Sequence, residues 1–183
     1  MVKSVAKLVT EPALLLAGDD VDIDFACFAV LTGRGRQMID VGTVALAGVV
    51  AGVLDLAAST AVFLAQDVPP ERLLQGIASG VLGSGSFSGG KVTAALGLFF
   101  HFLIAFVVAA VYFAASRRWP ALVESPVLYG ALYGVAVHLV MSRIVLPLSR
   151  APKRAFSVRA FLIQLAIHVL FVGLPIARIV SLS

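Results

Sequence analysis

Residues 41–65 read VGTVALAGVVAGVLDLAASTAVFLA, a long apolar run interrupted by a single carboxylate, Asp55. A segment of this length crosses a bilayer core of about 30 Å as one helix. A carboxylate at that depth is costly, so it faces protein or water and takes a partner. Gly48, Gly52, Asp55 and Ser59 follow at i, i+4, i+7 and i+11, which is one helical face. The Gly48–Gly52 pair is a small-xxx-small step that lets a second helix approach closely. The spacing therefore predicts Asp55 on a packed face, away from lipid.

Three more apolar segments follow, at 92–115, 126–146 and 160–180, and each holds one histidine near its middle: His101, His138 and His168. Of the 183 residues, 60% are hydrophobic and 13% charged, and the mean hydropathy is +1.03. A soluble domain is about half apolar and about a quarter charged. The excess is arranged in blocks, so the expected class is an all-α polytopic membrane protein: a four-helix transmembrane bundle forming one domain over 41–183. The net charge is +4, and the basic residues stand mostly beside the apolar blocks, as phosphate headgroups require. The lipid bilayer is the expected partner. Nucleic acid is not, because no polar domain concentrates the basic charge. Cys27 is the only cysteine and has no intrachain disulfide partner.

Residues 1–40 differ from the rest. Two short apolar runs flank an acidic cluster at Asp19, Asp20, Asp22 and Asp24, and neither run is long enough to span a bilayer. A poorly structured or surface-lying tail is expected. A signal-peptide reading of Lys3, Lys7 and the run after them is opposed by Glu11-Pro12. Translation from Met38 is an alternative start.

Between the first two apolar segments, Pro69-Pro70-Glu71 reads as a helix start. Leu73, Leu74, Ile77, Val81 and Leu82 then recur at helical spacing, which predicts a short amphipathic helix lying at the interface or dipping into the protein. The Gly/Ser-rich stretch 83–90 reads as a flexible linker. Gly85 to Lys91 fits G-x-x-x-x-G-K, but Val92 stands where a phosphate loop needs Ser or Thr, and the chain then enters the membrane. A linker is the better reading. In 92–115, Gly97, His101, Ala105 and Ala109 share a face, and Tyr112 and Trp119 read as interfacial anchors. In 126–146, Gly130, Gly134 and His138 share a face, with Arg143 near the end. In 160–180, Gln164 and His168 are one turn apart, and Pro175 is expected to kink the last turns. The small-residue faces suit packing within one chain or a homo-oligomer.

Several motifs carry a family resemblance: Gly52-Val53-Leu54-Asp55, Leu74-Gln75-Gly76-Ile77-Ala78-Ser79-Gly80, Phe87-Ser88-Gly89-Gly90, Leu98 to Phe102 with His101, Leu128-Tyr129-Gly130-Ala131-Leu132-Tyr133-Gly134, and His168 through Pro175. They resemble a group of uncharacterised four-helix bacterial inner-membrane proteins and are loosely similar to the YagU-like family. The resemblance runs from about residue 41 to 180 and leaves the first forty residues outside. It implies a bacterial cytoplasmic membrane and a compact helical bundle. It implies no activity and no catalytic residue.

If the four segments run up and down in sequence, the offsets of Asp55, His101, His138 and His168 from their helix centres all point to one side. At 1.5 Å per residue they fall within about 3–5 Å of one level. Depth and helical face thus both point to one buried polar cluster. It has several readings. In a structural clasp, Asp55 accepts hydrogen bonds from imidazoles and locks the helices. In a metal site, three imidazoles and a carboxylate complete a tetrahedral set for zinc or another first-row metal. In a proton or ion relay, the imidazoles change charge near neutral pH, with Ser59, Tyr133, Ser142 and Gln164 as further polar steps. In a b-type haem carrier, two histidines are axial ligands, and Gly97 and Gly134 make room for the macrocycle. No nucleophile-elbow motif surrounds any serine, so an enzyme is not the favoured class. The expectation is an integral membrane protein that binds a metal ion or relays protons or ions through this cluster. The alternatives are a structural protein and the haem carrier. Basic residues nearest the helices place the connection between the third and fourth segments in the cytoplasm and both termini outside.

Overall fold

The computed structural model describes the backbone of residues 19–153 and 155–183, and the side chains of residues 40–153 and 155–183. The chain divides between Val41 and Gly42 into two units. In the first, residues 1–18 of the expected tail lie outside the described residues, and the helix that begins at Asp19 ends at Leu64. Among the described residues every regular element is a helix. Four helical stretches are long and apolar enough to cross a membrane: Asp40–Leu64, Gly90–Ser116, Pro126–Leu148 and Val158–Val180. These are spans 1 to 4, and they mark a multi-pass membrane protein.

Helix boundaries follow local chemistry. Span 3 opens with Pro126, whose missing N–H is not needed in a first turn. Span 4 opens behind Ser157, whose hydroxyl accepts from the Ala160 amide. Pro70 likewise opens a short helix, Pro70–Leu82, which ends at Gly83 with φ +68°, a left-handed value that suits glycine. Spans 3 and 4 each contain a wide π-helical stretch, Met141–Val145 and His168–Gly173. Each stretch ends two residues before a proline, Pro147 or Pro175. A proline ring clashes with the carbonyl four residues earlier. Those carbonyls belong to Arg143 and Phe171, inside the two π stretches. The effect expected of Pro175 thus takes the form of a widened turn ahead of it.

Packing within the second unit is by small residues. Ala47 and Ala51 of span 1 share a buried core with Ala109 and Tyr112 of span 2 and Ile176 and Ala177 of span 4. Side chains at Gly48 and Gly52 would run into Phe106 and Phe102 of span 2. Gly130 and Gly134 of span 3 meet Gly173 and Ala177 of span 4, and a Cβ on Gly134 would stand 2.6 Å from the His168 carbonyl oxygen. Such close backbone approach is what small-xxx-small faces provide.

The short helix packs on span 2, burying Gln75, Ala78 and Ser79. A Cβ on Gly97 would overlap the Leu74 carbonyl. Its other end is tied to the connection between spans 3 and 4, where the Arg150 amide donates to the Gly80 carbonyl at 2.9 Å.

Two expectations are corrected. The Gly/Ser stretch is not an irregular linker: Gly83–Ser88 is a 3-10 turn with Ser86 buried, and the Thr93 hydroxyl donates to the Ser86 carbonyl at 2.6 Å. Positive φ at Gly83 and Gly90 makes the tight path possible. Tyr112 is not an interfacial anchor. It is 1% exposed and meets Tyr133 edge to face, with ring centroids 4.9 Å apart. Its hydroxyl donates to the Leu122 carbonyl at 2.9 Å, because the helical turn Ala121–Glu124 folds back over it. Trp119 is exposed.

Candidate functional site

Gly52 brings spans 1 and 2 together and also orients the first histidine. With no side chain at Gly52, its carbonyl is reached by His101 Nε2 at 2.8 Å. A carbonyl only accepts, so Nε2 carries the proton and a neutral His101 has a bare Nδ1. That nitrogen stands 3.9 Å from Asp55 Oδ2, with Asp55 one turn beyond Gly52. The separation is longer than a hydrogen bond. The other carboxyl oxygen, Oδ1, is buried and has no hydrogen-bond partner. Asp55 interacts electrostatically with both His168 and His101.

His168 lies at the start of the π stretch of span 4. Its Nδ1 donates to the Gln164 carbonyl one turn earlier, at 2.8 Å, which leaves Nε2 bare in the neutral ring. The His168 ring stands 5.1 Å from that of His138, centroid to centroid. His138 is 4% exposed, with its edge on Phe161 at 4.6 Å and a buried, unpartnered Nε2. Arg143 lies over the Phe161 ring at 5.7 Å.

A cavity of about 250 Å³ joins these groups. Asp55, Ser59, His101, Gln164 and His168 supply its polar lining, and Leu73 and Ile77 of the short helix stand among its apolar walls. All four spans and the short helix contribute. Asp55, His101 and His168 therefore meet at one cavity, and His138 joins them through its stack on His168 rather than by lining the space. Among the described residues, no group of three or more His, Cys, Asp or Glu side chains is placed to hold a metal ion. Of the further polar residues suited to a relay, Ser59 and Gln164 line the cavity. The Tyr133 hydroxyl instead donates to the Val108 carbonyl at 2.7 Å, and Ser142 donates to the Leu139 carbonyl at 3.4 Å. The slots beside Gly97 and Gly134 are filled by backbone of Leu74 and His168, so neither glycine leaves room there for a macrocycle.

Sequence reasoning did not single out the Gly52 carbonyl, Phe161, or Leu73 and Ile77 as cavity walls. Only the amphipathic spacing of the short helix hinted at the last two. No protein-family model matches this chain, and no curated protein and no solved structure matches it.

Proposed function

We propose that this membrane protein works through the cluster of Asp55, His101, His138 and His168, and that the cluster takes up protons and passes them through a four-helix bundle. The observation that carries the reading is the gap between Asp55 Oδ2 and His101 Nδ1, 3.9 Å, with the other ring nitrogen of His101 committed to Gly52. Two acceptors face each other there, and a proton on either side, or one shared through water, completes the pair. The cavity leads from this pair to His168, whose ring lies against His138. Carboxylate–imidazole chains of this kind suit proton transfer inside membranes. The short helix packs on span 2, and its Leu73 and Ile77 line the same cavity. Following the family resemblance, the bundle sits in a bacterial cytoplasmic membrane.

The test is proton flux into liposomes under an imposed potential. Wild type should acidify the lumen, and Asp55→Asn should lower the initial rate at least ten-fold while keeping the wild-type melting temperature. Flux equal in both would end the relay reading. A protein without flux, whose Asp55→Asn variant melts lower, would leave the cluster as a clasp.

One observation favours metal binding as a second reading. His101 and His168 each give one ring N–H to a backbone carbonyl and keep the other nitrogen bare, which is how ligand imidazoles are oriented. With Asp55 they would supply two nitrogens and an oxygen to zinc or another first-row ion. Elemental analysis of untagged protein and of the His101→Ala, His138→Ala and His168→Ala variants decides it: stoichiometric metal lost in folded variants supports the site, and metal-free wild type removes it.

A further inference from the structure

The cavity beside Asp55 is one-sided in its hydrogen bonding. An ionised carboxylate only accepts. His101 has committed its single proton to Gly52 and His168 its own to Gln164, so both neutral rings offer only lone pairs. Ser59 and Gln164 are able to donate and line the same space, yet Asp55 Oδ1 remains buried without a partner. A ligand that brings positive charge and several N–H donors would complete this end in place of a proton. Leu73 and Ile77, both apolar, also line the cavity. The cavity's volume of about 250 Å³ is well above what a single water needs. A bare transition-metal ion would need Asp55, His101 and His168 to close to about 2.3 Å around it, and among the described residues no such group stands drawn together. An ammonium reaches acceptors about 2.8 Å away and tolerates wider spacing.

We propose that this cavity binds a small protonated aliphatic amine. Its ammonium sits between Asp55, His101 Nδ1 and His168 Nε2, and its alkyl tail lies against Leu73 and Ile77. The inference rests on the reading of Asp55 as the ionisable working group, because an ammonium and a proton compete for the same carboxylate.

Equilibrium dialysis of the protein in zwitterionic nanodiscs tests it, with radiolabelled n-butylammonium and its neutral isostere n-butanol as probes and empty nanodiscs as background. Wild type should bind n-butylammonium saturably and at least ten-fold more tightly than n-butanol. Asp55→Asn should weaken n-butylammonium at least ten-fold. Ile77→Phe keeps the carboxyl and fills the tail's space, and should weaken it several-fold; it supplies the test where Asp55→Asn does not fold. No saturable binding, equal binding of n-butanol, or unchanged binding in folded variants overturns the proposal. Proton flux that depends on Asp55 without amine binding also overturns it and leaves the relay standing. Amine binding without flux upholds it and removes the relay.

Discussion

Gly97 shows how much one residue decides here. Its hydrogen faces the Leu74 carbonyl of the short helix, so any side chain meets backbone that has nowhere to go. Overpacking of this kind costs about 1–3 kcal/mol, and Gly97→Ala is expected to lower the melting temperature in detergent. Gly76, on the short helix itself, has open space where a methyl group would stand, with nothing within 4 Å. There alanine gains helix propensity of up to about 1 kcal/mol, and Gly76→Ala should melt at or slightly above wild type. Equal behaviour of the two variants would show that the short helix does not press on span 2. The two glycines look alike in sequence, because each is a glycine inside a helical run beside large apolar residues. Helical spacing puts Gly97 on the face of His101, and that face does meet protein, but the partner of Gly97 is another helix's backbone. Only the position of that backbone separates the two.

At the scale of elements, the π stretches of spans 3 and 4 are the feature least visible in advance. Pro175 announces a disturbance, but its form depends on how the clash with the Phe171 carbonyl is relieved. A turn widened by one residue rotates the remainder of the helix by about 100°. In span 4 that rotation helps set Gly173 and Ala177 against Gly130 and Gly134. An interior proline normally costs a helix about 3 kcal/mol, so Pro175→Ala would stabilise span 4 in isolation. In the protein it should do the reverse. Relaxation to a regular helix takes Gly173 off span 3, and the melting temperature should fall with little change in helical circular dichroism. A rise would mean that packing, not proline, sets the π stretch. π turns recur at functional positions, and here one begins at His168.

At the scale of the whole molecule, large apolar side chains such as Val92, Phe99 and Leu132 are uncovered by protein. Such faces are compatible with contact to lipid, and the buried core is made mainly of small residues. Stability is then shared between helix packing and the bilayer. The basic residues near the ends of spans 3 and 4, including Arg143, Arg150, Lys153 and Arg159, weight that side toward the cytoplasm. A C-terminal reporter active only in the cytoplasm should therefore stay silent, and an active reporter reverses the topology.

Sequence alone determined the number of the spans and their bounds to within two residues, the short helix beginning at Pro70, and the shared face of Gly48, Gly52 and Asp55. These are local properties, since apolar length, proline placement and helical period are all read within one segment. Depth and face also singled out Asp55, His101, His138 and His168 together. What only the tertiary structure decided is how those four relate. His101 approaches Asp55 without a hydrogen bond, His138 stacks on His168 away from the cavity lining, and Tyr112 turns inward under a folded-back loop. The Gly52 and Gln164 carbonyls select which nitrogen of His101 and His168 is bare. The His101 contact changes with about an ångström of helix translation or a small rotation. Those movements are set by small residues far apart in sequence, so no single segment records their outcome.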